Sequence, residues 1–237
     1  MSALPSKDSA ALVASAVAES VQYQGRKASR QGSEQRRQAI LDGAMRLIVR
    51  DGVRAVRHRA VAAEAGVPLS ATTYYFKDID DLITDTFAQF VEHSAVYMAK
   101  FWDSTQDTLQ EMVLALDGTP EARRQVADEI ARLALEYVRH QLLARRDHLM
   151  AEQAFQQEAL LNPRLHGLMR AYQRILLQGV TQFFEVLGSQ QPEQDAEVFA
   201  AIILRMEYQS LLGGIEQLDN DGMLSILKRY MHLVLGL

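Results

Sequence analysis

Apolar residues recur along nearly the whole chain at the three-and-four spacing of a helix, and nowhere do they keep the alternation of a half-buried strand. Ile40, Leu41, Ala44, Leu47 and Ile48 form one such stripe, which predicts a helix over 34–50, capped by Ser33 and stopped by Gly52. Val61, Ala62 and Ala65 mark a second, short helix that Gly66 ends, and Ser70 is placed to cap a third over 71–76. Val53, Val56, Val61 and Phe76 join the first stripe as the expected core of a three-helix head. Ile83, Phe87, Phe90, Ser94, Tyr97 and Phe101 then advance by four and three in turn, so a fourth helix starts at the Asp78 cap and runs over 79–102. Turn residues at 117–120, 162–163, 188–192 and 219–222 divide the remainder into helices over 105–116, 120–146, 147–161, 164–187, 193–218 and 223–235. Thr119-Pro120-Glu121 is a good helix start. The class is all-α.

The stretch 57–77 carries the chemistry. Two short helices joined by a tight turn make a helix-turn-helix, in which the second helix lies in the major groove and its exposed side chains meet base edges. Leu69, Ser70, Ala71, Thr73, Tyr74 and Tyr75 are the expected contacting face. Ala71 and the Thr73 methyl suit a thymine methyl, the hydroxyls of Ser70 and Thr73 suit bases or phosphates, and the two phenols suit phosphate oxygens. So short a helix must bury one side, and the spacing leaves open which tyrosine turns inward.

Charge adds to this reading. Between Arg26 and Lys77 stand eleven Lys and Arg against four acids, a net of +7 in a chain of formal charge −5, which leaves −12 for the rest. A cationic module on an acidic body fits nucleic-acid binding, with Arg57, Arg59 and Lys77 as phosphate partners and Arg36 and Arg37 as weaker ones. Charge alone also fits arginines that merely solvate a helix surface. Residues 1–32 read as a flexible arm, weakly helical in its alanine-rich part, whose basic end at Arg26, Lys27 and Arg30 is either a solvated tail or a minor-groove arm.

The Ala65-Gly66-Val67 turn, the Tyr74-Tyr75-Phe76 ending and the Lys77-Asp78-Ile79-Asp80-Asp81-Leu82 start of the next helix resemble the DNA-binding domain of the TetR family of bacterial transcriptional regulators. The resemblance covers 34–82, about a fifth of the chain. Val56-Arg57, Thr72-Thr73 and Ile79 depart from the residues common there. It implies a head over 33–78 joined to a helical ligand-binding and dimerisation domain over 79–237, with 79–102 as the connecting helix. It also implies that Arg59 lies against the major groove and that the last two long helices, 164–187 and 193–218, form a homodimer interface.

The residues of those helices agree with association. Leu165, Leu168, Tyr172, Ile175, Gly179, Phe183 and Val186 share one face, as do Leu204, Tyr208, Leu211 and Ile215 beside Gly213-Gly214, although an intrachain core must take some of them. Large adaptable side chains could line a small-molecule cavity in the body: Met98, Trp102, Tyr137 and His140, together with Met150, Phe155, Met169 and Tyr172. The same residues also suit an ordinary core.

Catalysis is not expected. There is no cysteine, hence no disulfide or thiolate site, and no phosphate loop or nucleophile elbow. His148 and Glu152 have a metal-like spacing without further ligands, so neither metal nor cofactor is expected. Nothing resembles a secretory signal and no apolar run approaches the roughly 18 residues of a membrane span, which points to a cytoplasmic protein without a membrane partner. The expectation is a homodimeric regulator, a repressor as is usual in the family, released from a palindromic double-stranded operator by an unknown small-molecule effector. The alternatives are a regulator without an inducer, whether an activator or protein-controlled, and a helical enzyme or carrier with a degenerate head.

Overall fold

The computed structural model describes residues 23–25, 31–214 and 218–237. Among them are nine α-helices, two 3-10 turns and no strand. α1 (Gln31–Asp51) leads through the turn Val53–Ala55 to α2 (His58–Glu64) and α3 (Leu69–Tyr75). Then follow α4 (Ile79–Leu114), α5 (Pro120–Ala144), α6 (Arg146–Leu161), the turn Pro163–Leu165, α7 (His166–Leu187), α8 (Pro192–Gly213) and α9 (Asn220–Val234). Two compact units result, one of residues 23–25, 31–97 and 147–173, the other of 98–146, 174–214 and 218–237.

The first unit is built on the predicted apolar stripe. Ile40, Leu41, Ala44, Leu47 and Ile48 are buried together with Val53, Val56, Val61 and Phe76. The early turns of α4 continue this core through rings: Phe87 stacks on Phe155 of α6 at 4.4 Å between centroids, and Phe90 tilts against Tyr172 of α7 at 5.3 Å. Removing such area from water is the main favourable contribution to the fold.

Several boundaries differ from the sequence reading, each for a local reason. Ser33 does not cap α1, which starts two residues earlier; its hydroxyl instead shares a 2.8 Å hydrogen bond with the Tyr75 hydroxyl. Ser70 does not cap α3 either. Pro68 holds the cap position, with φ −61° and ψ 146°, and its carbonyl accepts from the Ala71 N–H at 2.9 Å. Proline's fixed φ suits that place, and its missing N–H costs the helix no hydrogen bond. α4 does not stop near residue 102 but runs unbroken to Leu114. The polar run after Trp102 contains no glycine or proline to stop the helix, and the Ser104 and Thr105 hydroxyls are satisfied within it, donating back to the Phe101 carbonyl at 2.8 and 3.0 Å. α8 stops at Gly213, short of 218, and Ile215 lies outside the described residues. Asp78 and Thr119 do cap their helices, accepting from Asp81 N–H at 2.7 Å and Ala122 N–H at 3.1 Å. Of the flexible arm expected over 1–32, Tyr23–Gly25 are ordered by contacts with α1 and α4 and residues 31–32 are helical. Arg26, Lys27, Arg30 and the alanine-rich run lie outside the described residues.

The second unit packs Leu109 and Met112 of α4, Val126, Ala127 and Ile130 of α5, Phe183 and Phe184 of α7, Ala196 of α8 and Met231 of α9 into one cluster. α9 is fastened to α5 at its polar rim, where Asp128 accepts from Lys228 Nζ at 2.8 Å and pairs with His232 Nε2 at 2.9 Å. The Lys228 hydrogen bond, ahead of the smaller His232 contribution, holds the Asp128 carboxyl below its ordinary value. A depressed carboxyl contributes stability above the usual pKa of about 4 and loses it as pH falls through the lowered value. Asp128→Asn is therefore expected to reduce stability at pH 7 by up to about 1 kcal/mol. In urea unfolding at a series of pH values, the gap from wild type should close below about pH 4.

Candidate nucleic-acid interface

The turn between α2 and α3 is fixed by backbone hydrogen bonds that the sequence determines. Gly66 N–H donates to the Ala63 carbonyl at 3.3 Å and Val67 N–H to the Ala62 carbonyl at 3.0 Å, the paired closure of a Schellman motif. Gly66 has φ +65°, a conformation that side chains with a Cβ resist. Pro68 follows at once and begins the next helix, so the direction of α3 relative to α2 is set within a few residues.

α3 has two distinct sides. Thr72 and Tyr75, three residues apart, turn inward at 0% and 5% exposure, and Phe76 just beyond is fully buried. Leu69, Ser70, Thr73 and Tyr74 face out, with Ala71 half-buried at the edge. The Thr72 hydroxyl is satisfied internally by the Leu69 carbonyl at 2.8 Å. The ambiguity between the tyrosines is thereby resolved: Tyr74 is 54% exposed, while Tyr75 packs inward, its hydroxyl on Ser33 and its ring edge-on to Tyr74 at 5.1 Å. Tyr75 is corrected from the contacting face to its support.

Arginines in the head divide in the same way. Arg37, expected on the surface, is 7% exposed and donates to Asp85 at 2.9 Å. Arg46 and Arg50 grip Glu64 from α1, at 2.9 and 3.1 Å, and Arg46 also donates to the Glu64 carbonyl. These hydrogen bonds, Arg46's first, hold the Glu64 carboxyl below its ordinary value. Arg36, Arg54, Arg57, Arg59 and Lys77 are exposed, and among the described residues no carboxylate lies within ion-pair distance of them. Arg57 donates to the Val56 carbonyl at 3.0 Å. Arg54, which the sequence reading left without a role, joins Arg57, Arg59 and Lys77 as a candidate; the signal was its place three residues before Arg57 in the turn leading into α2.

The residues suggested for a small-molecule cavity are divided between the two units. Met98, Trp102, Tyr137 and His140 belong to one unit, and Met150, Phe155, Met169 and Tyr172 to the other. Phe155 and Tyr172 are core, whereas His140 is exposed. Trp102 lies against Gly179, and its buried indole N–H has no acceptor among the described residues. No group of three His, Asp or Glu side chains that could hold a metal occurs among the described residues, and no helix among them is long and apolar enough to cross a membrane.

Residues 40–86, from α1 to the first turns of α4, match the sequence model described as bacterial regulatory proteins, tetR family. The HTH-type transcriptional regulator AcrR of Shigella flexneri is 29% identical over 152 residues, 62% of this chain and 66% of its own length. The chain thus spans just under two thirds of that regulator. A solved TetR-family member from Streptomyces coelicolor is 27% identical, with a TM-score of 0.56 over 82% of this chain and 97% of its own. The multidrug binding protein EbrR, solved in complex with ethidium, is 28% identical, with a TM-score of 0.55 over the same 82% and 97%.

Exposure separates the two tyrosines in a stability measurement. Tyr75→Phe loses the hydrogen bond to Ser33 and should cost about 1 kcal/mol in urea unfolding. Tyr74→Phe should stay within about 0.5 kcal/mol of wild type.

Proposed function

We propose that this chain, a member of the TetR family of bacterial transcriptional regulators, acts as a homodimeric repressor that a small molecule releases from a palindromic operator. The observation that carries the DNA reading is the outward side of α3, with Leu69, Ser70, Thr73 and Tyr74 together directly after the fixed turn. Apolar groups and hydroxyls there suit thymine methyls and base-edge or phosphate atoms. Arg54, Arg57, Arg59 and Lys77, uncompensated among the described residues, supply the sequence-independent attraction. The test is selection from a random duplex pool. A palindromic site should be enriched, and Arg59→Ala should weaken binding to it and lower the salt slope by about one. Enrichment of no sequence, with binding abolished by modest salt, would sink the reading.

Dimerisation is supported by α8. Val198, Ala201, Arg205, Tyr208 and Leu212 advance by three and four and are all exposed, an apolar-rich stripe of the kind that seats a second helix. Tyr208→Glu should shift sedimentation from dimer to monomer and weaken operator binding. An unchanged dimer would place the interface elsewhere.

Small-molecule control is supported by the likeness to a multidrug binding protein solved with ethidium, and by the unpaired indole donor of Trp102. A ligand acts by binding one of two conformations more tightly, and it shifts operator affinity by no more than that difference. The unbroken run of α4 from Ile79 to Leu114 suits a helix that carries such a change. Trp102 is the single tryptophan, so saturable quenching of its fluorescence by ethidium, without DNA present, is the expected result. Unchanged fluorescence together with unchanged operator affinity over a panel of aromatic cations would argue for a regulator without an inducer.

A further inference from the structure

Asp85 lies in the second turn of α4 with no exposed surface, and its carboxylate takes three donors. One is Arg37 of α1 at 2.9 Å; the others are the backbone N–H groups of Gln24 at 2.6 Å and Gly25 at 3.0 Å. Seven residues on, and hence on the same side of the helix, Glu92 accepts from the Tyr23 hydroxyl at 2.7 Å. The Arg37 guanidinium lies 4.6 Å over the Tyr23 ring and 5.9 Å from the Phe76 ring. Residues 23–25 therefore run along α4 as a strap, gripped at both ends.

The strap fits only without a side chain at its end. A Cβ on Gly25 would stand 2.6 Å from Phe76 Cε1 and 2.8 Å from Asp85 Oδ2, and both partners are fully buried and unable to yield. Phe76 is the residue that ends α3 and begins the link to α4. A buried carboxylate needs more than one partner to offset its lost hydration, and two of the three donors here come from the strap. Burial, and next the bond to Glu92, push the Tyr23 phenol up from its ordinary value, so it stays a neutral donor at every physiological pH.

From this geometry we infer that Tyr23–Gly25 is a positioning element for the recognition helix: the strap locks Phe76 and α1 onto α4, and its release uncouples α3 from α4 and lowers operator affinity. The inference rests on the DNA-binding reading above. It makes the segment ahead of the helix-turn-helix part of the reading head without giving it any contact to DNA.

The test uses the full chain with Gly25→Ala and Tyr23→Phe, read by operator binding over a salt series and by amide hydrogen exchange. Gly25→Ala should weaken operator binding about tenfold, with the salt slope unchanged because no phosphate contact is lost. Exchange should quicken at residues 76–86 and not in α5. Tyr23→Phe, a smaller change that leaves the fold intact, should shift both readouts in the same direction by less. Wild-type affinity in Gly25→Ala despite faster exchange at 76–86 overturns the inference, as does unaltered exchange in both variants. So does an affinity loss that appears only with faster exchange throughout the chain, since that is general destabilisation. If the wild-type chain itself selects no duplex, it is the DNA reading that fails, and exchange at 76–86 still decides whether the strap holds Phe76.

Discussion

The buried carboxylate of Asp85 is the constraint on which the first unit depends. A charge with no exposed surface is tolerated only where donors surround it, and here three come from two separate stretches of chain: Arg37 in α1 and the N–H groups of Gln24 and Gly25 ahead of it. Meeting that demand fixes α1 on α4 and closes the space beside Phe76. Phe76 and Tyr75 are thereby held inward, and the other side of α3 is left to solvent. The face offered to a partner is thus a consequence of what is buried beneath it.

Local patterns carried the legible part of the sequence. The stripe at Ile40, Leu41, Ala44, Leu47 and Ile48 is buried as its spacing predicts, and Gly66 ends α2 in the left-handed conformation that its place after Ala65 implies. Long-range partners carried the rest. Arg37 and Asp85 are 48 positions apart, so nothing near Arg37 marks it as buried while its neighbour Arg36 stays exposed. Tyr75 is likewise settled by Thr72 one turn earlier, whose hydroxyl is satisfied within its own helix and can therefore go inside. The length of α4 was hidden by a polar run that resembles a loop in composition yet lacks any residue that stops a helix.

Burial also changes what the charge of the head means. The net of +7 over residues 26–77 suggests a broad basic surface, yet Arg37, Arg46 and Arg50 are engaged by Asp85 and Glu64 and hold helices together. Among the described residues of this stretch the exposed cations without a carboxylate in reach are Arg36, Arg54, Arg57, Arg59 and Lys77, and the last four lie before, within and after the two helices of the motif. Paired and unpaired arginines stand within one short stretch of sequence, and only their partners tell them apart.

The central claim is that two copies of this head read successive turns of one duplex. Hydroxyl-radical footprinting on the enriched duplex tests it most directly, because it maps each protected stretch of backbone along the helix axis. Two equivalent patches, with centres one helical turn of about 34–36 Å or a whole multiple of it apart, are the predicted result. A single patch at saturating protein, or two whose spacing is not a whole number of turns, would contradict the account.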